Sequence, residues 1–137
     1  MFPRIDKGPI EYTLDIYPAY NVEAQRDCLR FRFRTTEEFN HFRYRIAIEE
    51  AHDGNGLRFA LKGLKTKGLL PGVGSAESAV DLFDLRGTYD VTVVKPGDIA
   101  NSFRVGVGEN GLRLVKGIPD EDAFLSVHIS NEHAGRE

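Results

Sequence analysis

Short runs in which apolar and polar residues alternate follow one another along most of the chain. In the clearest of them, Tyr89, Val91 and Val93 alternate with polar neighbours. Because successive side chains of a strand point to opposite sides, this pattern predicts a strand with one buried face. A chain made of such runs can form a core only by burying sheet faces, so the sequence predicts an all-β fold.

Six other runs alternate in the same way, and a final apolar segment at 124–129 reads as a strand buried on both faces. Turn residues separate the runs, and Pro18 is expected to close the first. The apolar positions of the six runs are Ile10, Tyr12, Leu14 and Ile16; Leu29, Phe31 and Phe33; Phe42, Tyr44, Ile46 and Ile48; Leu57, Phe59 and Leu61; Phe103, Val105 and Val107; and Leu112 and Leu114.

Two connections constrain the strand order. The segment at 52–56 is rich in Gly and Asn, which tolerate turn geometry, so it predicts a hairpin between the third and fourth strands. The Gly- and Lys-rich segment at 63–74 predicts a loop. The segment at 75–85 fits a helix begun by Ser75 and also fits a strand, and its β neighbours favour the strand.

The motif Leu85-x-Gly87-x-Tyr89-x-Val91-x-Val93 resembles the entry to a late strand of immunoglobulin-like sandwiches, where a tyrosine hydroxyl bonds to a backbone corner. The resemblance covers residues 80–94 and carries no functional residue. It implies an immunoglobulin-like antiparallel β-sandwich of eight or nine short strands, with a small β-barrel or jelly roll as the alternative. We expect one domain over residues 1–137, frayed at 1–8 and 130–137.

Composition fits a folded protein, with 41% hydrophobic and 28% charged residues. No apolar run approaches the roughly 18 residues that would span a membrane, and no secretory signal is visible. Cys28 is the only cysteine, which excludes an internal disulfide and favours a buried thiol. The sequence therefore predicts a cytoplasmic protein with no membrane span and no cofactor.

The net charge of −3 is unevenly distributed along the chain. Residues 26–67 contain ten Lys/Arg and six Asp/Glu (+4), whereas residues 68–137 contain six and eleven (−5), and residues 1–25 contribute −2. This asymmetry suits either an acidic partner or neutralisation within the molecule.

Basic side chains follow the predicted solvent side of the second, third and fourth strands. Guanidinium groups bind phosphate and carboxylate groups with two parallel hydrogen bonds, so these residues form the candidate binding site. They are Arg30, Arg32, Arg34, Arg43, Arg45, Arg58 and Lys62.

The basic residues can also be explained without a ligand. The acidic second half of the chain, or residues such as Asp15 and Glu49, can neutralise them on an ordinary solvated face. A four-residue turn would pair Lys62 with Arg43 or Arg45 across the hairpin. If the second and third strands lie in different sheets, their arginines face opposite sides.

Other functions have weaker sequence support. An overall pI near 5.8 disfavours nucleic acid, and the turn at 53–56 lacks the later ligands of a calcium loop. Neither the carboxylates at 120–122 nor Cys28 with His41 has catalytic spacing, so no enzyme is predicted. A carbohydrate site would depend on exposed Tyr17, Tyr20 or Phe39.

The sequence thus predicts a non-catalytic binding or interaction module for an anionic ligand or an acidic protein surface. A carbohydrate-binding module and an enzyme of unknown class are the alternatives. Exposed edge strands offer a route to a homo-oligomer.

Overall fold

A computed structural model describes residues 10–132, and within this range most of the chain is strand. The described residues form nine strands and a short 3-10 turn at Asp120–Asp122. The strands are β1 (Tyr12–Asn21), β2 (Arg26–Phe39), β3 (Phe42–Asp53), β4 (Gly56–Pro71), β5 (Gly74–Leu82), β6 (Gly87–Lys95), β7 (Ile99–Gly108), β8 (Gly111–Lys116) and β9 (Leu125–Ile129). Of the segments predicted to be frayed, 1–8 and the last five residues of 130–137 lie outside the described residues.

All nine of these strands belong to one mixed sheet, in the order β8-β7-β6-β4-β3-β5-β2-β1-β9. The all-β prediction is confirmed. The antiparallel prediction is wrong for three pairings, because β1–β9, β3–β5 and β4–β6 are parallel. These parallel pairs arise where β5, β6 and β9 insert beside strands distant in sequence, which alternation alone does not reveal.

The sheet curls into a nearly closed, barrel-like form, and Asn131 links its two edge strands. Just after β9, the Asn131 side-chain amide donates to the Leu112 carbonyl of β8 at 3.1 Å and accepts from the Leu112 N–H at 2.7 Å. Gly111 allows this approach, since a Cβ there would lie 2.5 Å from Asn131 Oδ1. A side-chain amide therefore takes the place of a backbone partner at the seam.

Inward-facing side chains fill the sheet's interior, as the alternation predicts. Phe59 of β4 packs between two rings of β2, with centroid distances of 5.1 Å to Phe31 and 5.3 Å to Phe33. Aromatic contacts of this kind join strands that are not neighbours in the sheet, and they stabilise its curled form. Other fully buried core residues are Leu14, Ile16, Ile46, Leu57, Leu61, Val91, Val93, Val105 and Leu125.

The predicted end of the first strand at Pro18 is wrong, because β1 continues to Asn21 and Pro18 pairs with Leu29 of β2. The carbonyl of Ile16 accepts from Ser130 on the β9 side. Two residues later, the nitrogen of Pro18 faces the same side, beyond the end of β9. Since none of the described strands needs a hydrogen bond there, the missing N–H costs little.

The predicted loop at 63–74 is also wrong, because most of it continues β4 alongside β3. Two glycines with positive φ, Gly63 at 128° and Gly68 at 60°, accompany the register shifts that let this segment follow its partner. The hairpin turn contains only Gly54 and Asn55. As a result, the predicted pairing of Lys62 with Arg43 or Arg45 does not occur.

Two other local predictions are confirmed. The ambiguous segment at 75–85 contains strand β5. The Tyr89 hydroxyl accepts a hydrogen bond from the Arg86 N–H at 2.9 Å, and Tyr89 is buried. This is the corner contact that the Gly87-x-Tyr89 motif suggested.

Candidate functional site

The arginines of β2 lie on the outer face of the sheet, and each contacts a carboxylate. Arg30 donates from Nε and Nη2 to Asp81 at 2.7 and 2.9 Å. Arg32 donates to Glu77, with its Nε 3.0 Å from Oε1. The third arginine of the row, Arg34, donates from Nη2 to Asp15 of β1 at 2.8 Å.

Strand register places the first pair directly opposite and the other two diagonally. Arg30 lies opposite Asp81 in the antiparallel β2–β5 pair, whereas Arg32 reaches Glu77, which lies opposite Arg34. Asp15, which binds Arg34, lies opposite Arg32 in the β1–β2 pair. Hydrogen bonds from the guanidinium groups lower the pKa of Asp81 and Glu77, and they raise the pKa of Arg30 and Arg32. At neutral pH the row is therefore ionised and largely neutralised by its own sheet.

The end of the β3–β4 hairpin far from its turn differs from the arginine row of β2. Its basic side chains have no acidic partner among the described residues. Arg45 of β3 and Lys65 of β4 are direct cross-strand neighbours and both are exposed. Lys67 follows on the same face of β4, and Arg43 precedes Arg45 on β3. Within the described part of the chain, none of these four side chains forms an ion pair. We call Arg43, Arg45, Lys65 and Lys67 the basic face.

Glu77 is the carboxylate nearest to this group by register, since it is the β5 partner of Arg45. Its hydrogen bond already goes to Arg32, and the nearby charges of Lys67 and Arg34 lower its pKa further. Like charges placed directly across a strand pair repel by a few tenths of a kcal/mol, roughly 0.2–1. The basic face therefore retains a local positive charge that Glu77 alone does not balance.

The structure separates the other two predicted site residues from the basic face. Arg58 lies opposite Ala51, six residues along β3 from Arg45, a distance of about 20 Å at strand spacing. Lys62 lies between them, 3.7 Å from Glu49. The seven predicted residues thus share the outer face of one sheet, but they form distinct groups on it.

Sequence reasoning missed Lys65 and Lys67, because it assigned their segment to a loop. The signal was present, since Lys65 and Lys67 are spaced at period two and alternate with Leu64 and Thr66. Glycines on either side of that run obscured it as a strand.

The three aromatic residues on which a carbohydrate site would depend lie in different surroundings. Tyr17 lines a cleft of about 560 Å³ on the outer face together with Arg30, Arg32 and Asp81. Tyr20 is half-buried in β1. Phe39 packs edge-on against Tyr44, with centroids 5.1 Å apart, so its ring is engaged in the fold.

The catalytic and metal-binding candidates do not converge. Cys28 lies near the start of β2 and His41 beyond its end, so the strand separates them. Burial raises the pKa of Cys28 to about 11, which keeps the thiol protonated at neutral pH. Residues 10–132 contain no group of three or more His, Cys, Asp or Glu side chains able to hold a metal ion. They also contain no helix long and apolar enough to cross a membrane.

Comparison with models of known protein families, with curated proteins and with solved structures finds no match to this chain.

Proposed function

We propose that the protein is a non-catalytic binding module that recognises an anionic partner through its basic face. One observation carries this proposal: Arg45 and Lys65 lie directly opposite each other, exposed, and no carboxylate among residues 10–132 forms an ion pair with either. A pair of unbalanced cations on a rigid strand surface gains free energy when a phosphate or carboxylate approaches.

The shape of the basic face favours an acidic protein surface over a small ligand. Its four side chains project from two extended strands, β3 and β4, and all four are exposed. A net charge of −3 for the whole chain also opposes indiscriminate attraction of polyanions. Binding should therefore depend on contact at this face and weaken as salt screens it, over a Debye length of about 10 Å at 0.1 M.

The test uses a fluorescein-labelled peptide of alternating Glu and Asp, followed by fluorescence anisotropy. Binding should weaken steeply as NaCl rises from about 50 to 300 mM. The double variant Arg45→Glu/Lys65→Glu should lose at least about tenfold in affinity, because it replaces attraction by repulsion at the centre of the face.

The matched control is the double variant Arg113→Glu/Lys116→Glu, which reverses the charge of two exposed residues of β8. It changes the net charge by the same amount but leaves the basic face intact, so it should bind nearly as well as the native chain. Equal losses in both double variants, or binding that ignores salt, would refute recognition by this face.

The strand arrangement combines features of the two predicted fold types. The Tyr89 corner supports an immunoglobulin-like arrangement, whereas the parallel pairings and the Asn131 seam support the barrel alternative. Assembly through edge strands would involve β8 and β9, which Asn131 holds together at one end. The carbohydrate alternative concerns a different surface, the cleft beside Tyr17.

A further inference from the structure

The cleft beside Tyr17 exists because β3 and β5 separate. Their backbones pair at Arg45 and Glu77, and Ser78 bridges them by bonding to the N–H and the carbonyl of Ile46. Beyond Ser78 no further β3–β5 pairing occurs in the described strands. Next to Ser78, β5 carries the small, exposed side chain of Ala79. The outer face is therefore indented here, and the resulting cleft has a volume of about 560 Å³. This volume lies within the usual range of ligand sites, roughly 300–1,000 Å³.

The polar groups of the cleft are held in fixed positions. The carboxylate of Asp81 accepts two hydrogen bonds from Arg30 and a third from Asn21 Nδ2 at 2.8 Å. Only 15% of the Asp81 side chain and 25% of the Arg30 side chain are exposed, so both are oriented before any ligand arrives. A guanidinium has five N–H donors, and two of those of Arg30 are used here.

Aromatic rings provide the apolar part of the cleft. Tyr17 of β1 is the cross-strand neighbour of Arg30, so its half-buried ring lies on the same outer face. Phe83 lines the cleft as well, and the guanidinium of Arg26 lies 4.1 Å from its ring centroid. Rings beside fixed donors and acceptors suit a ligand with apolar C–H faces and hydroxyl edges.

The charges around the cleft do not favour an anion. Two cations, Arg30 and Arg32, line it against three carboxylates, Asp81, Glu23 and Glu50. Because Arg30 and Asp81 already neutralise each other, the ligand needs no charge of its own. We infer that this cleft binds a neutral saccharide, whose ring lies against Tyr17 and whose hydroxyls bond to Arg30 and Asp81.

The test titrates the isotopically labelled protein with cellotriose, maltotriose, chitotriose and mannotriose, and records amide chemical shifts. At least one saccharide should give saturable shifts confined to the cleft, including the amides of Tyr17 and Ala79. Because the chain has five tyrosines and no tryptophan, tyrosine fluorescence gives a second readout. Raising NaCl should leave this affinity unchanged, in contrast to binding at the basic face.

Two exposed alanines provide matched variants. Ala79→Gln fills the indentation and should lower saccharide affinity by about tenfold or more, whereas Ala51→Gln on β3 places the same side chain outside the cleft and should have no effect. Tyr17→Phe should retain binding that Tyr17→Ala loses. The inference is wrong if no saccharide of the panel gives saturable shifts, if the shifts map elsewhere, or if Ala79→Gln binds normally. A failure here would leave acidic-peptide binding at the basic face unaffected, so the two proposals fail separately.

Discussion

Asn101 of β7 is the buried polar side chain on which the path of the chain into β9 depends. Only 3% of the residue is exposed. Its Oδ1 accepts from the N–H groups of Phe124 and Leu125 at 2.9 and 3.2 Å, and its Nδ2 donates to the Asp122 carbonyl at 3.0 Å. One amide thus satisfies three backbone groups where the chain leaves its 3-10 turn and enters β9.

Replacing Asn101 by Ala leaves these three backbone groups without partners. A buried group that loses its hydrogen bond costs roughly 1–3 kcal/mol, and partial hydration of the vacated space lowers the total, so we expect a loss of about 3–5 kcal/mol in the free energy of unfolding. The assay is urea denaturation followed by circular dichroism. Ser102→Ala is the matched control, because the exposed Ser102 hydroxyl bonds to one described side chain, Thr92 Oγ1 at 3.0 Å, and its loss should cost less than about 0.5 kcal/mol.

A second variant separates the acceptor from the donor. Asn101→Asp keeps an oxygen for Phe124 and Leu125, but at neutral pH it places a carboxylate oxygen against the Asp122 carbonyl. Burial raises the pKa of such a carboxyl, so its folded form binds a proton more readily than its unfolded form. The variant should therefore recover stability as pH falls from 7 towards 4, when the protonated group donates again. A loss below about 1 kcal/mol in Asn101→Ala, or no recovery in Asn101→Asp, would refute the assigned role.

Two further predictions use the same denaturation assay. Tyr89→Phe removes the hydroxyl that bonds to the Arg86 N–H and should cost about 1 kcal/mol; an unchanged stability would mean that the corner contact does not anchor the strand. Because Arg30 holds the pKa of Asp81 below its ordinary value, the ion pair stabilises the fold above the unfolded pKa of about 4, and this stability is lost as pH falls through the lower folded value. Asp81→Asn should flatten the stability profile in that acidic window, and a profile identical to the native one would contradict the assignment.

Alternation predicted the strands well, because a half-buried strand must alternate whatever its neighbours are. It placed Phe31, Phe33 and Phe59 in the core, where they meet. Alternation failed where a neighbouring strand determines whether a segment is extended. Pro18 is tolerated because β9 ends before it, and the segment at 63–71 is extended because β3 lies beside it.

The candidate site was predictable only in part, for the same reason. The outward direction of Arg30, Arg32 and Arg34 follows from period two. Which of the cations would find carboxylates depends on strand order, and β5, which carries Glu77 and Asp81, comes more than forty residues later in the sequence. No local pattern shows that this strand lies between β2 and β3.

The position of β5 accounts for both proposed surfaces. Its carboxylates, Glu77 and Asp81, lie on one outward row and neutralise the arginines of β2 on one side. On its other side β5 pairs with β3 only at Arg45, and Glu77 of that pair already bonds to Arg32, so no described carboxylate of β5 forms an ion pair with the basic face. Where β5 separates from β3, the same strand borders the cleft through Ala79. A neutral cleft and a basic face can therefore coexist on one sheet, because the acidic strand β5 follows β2 along most of its length and has only one backbone register pair with β3.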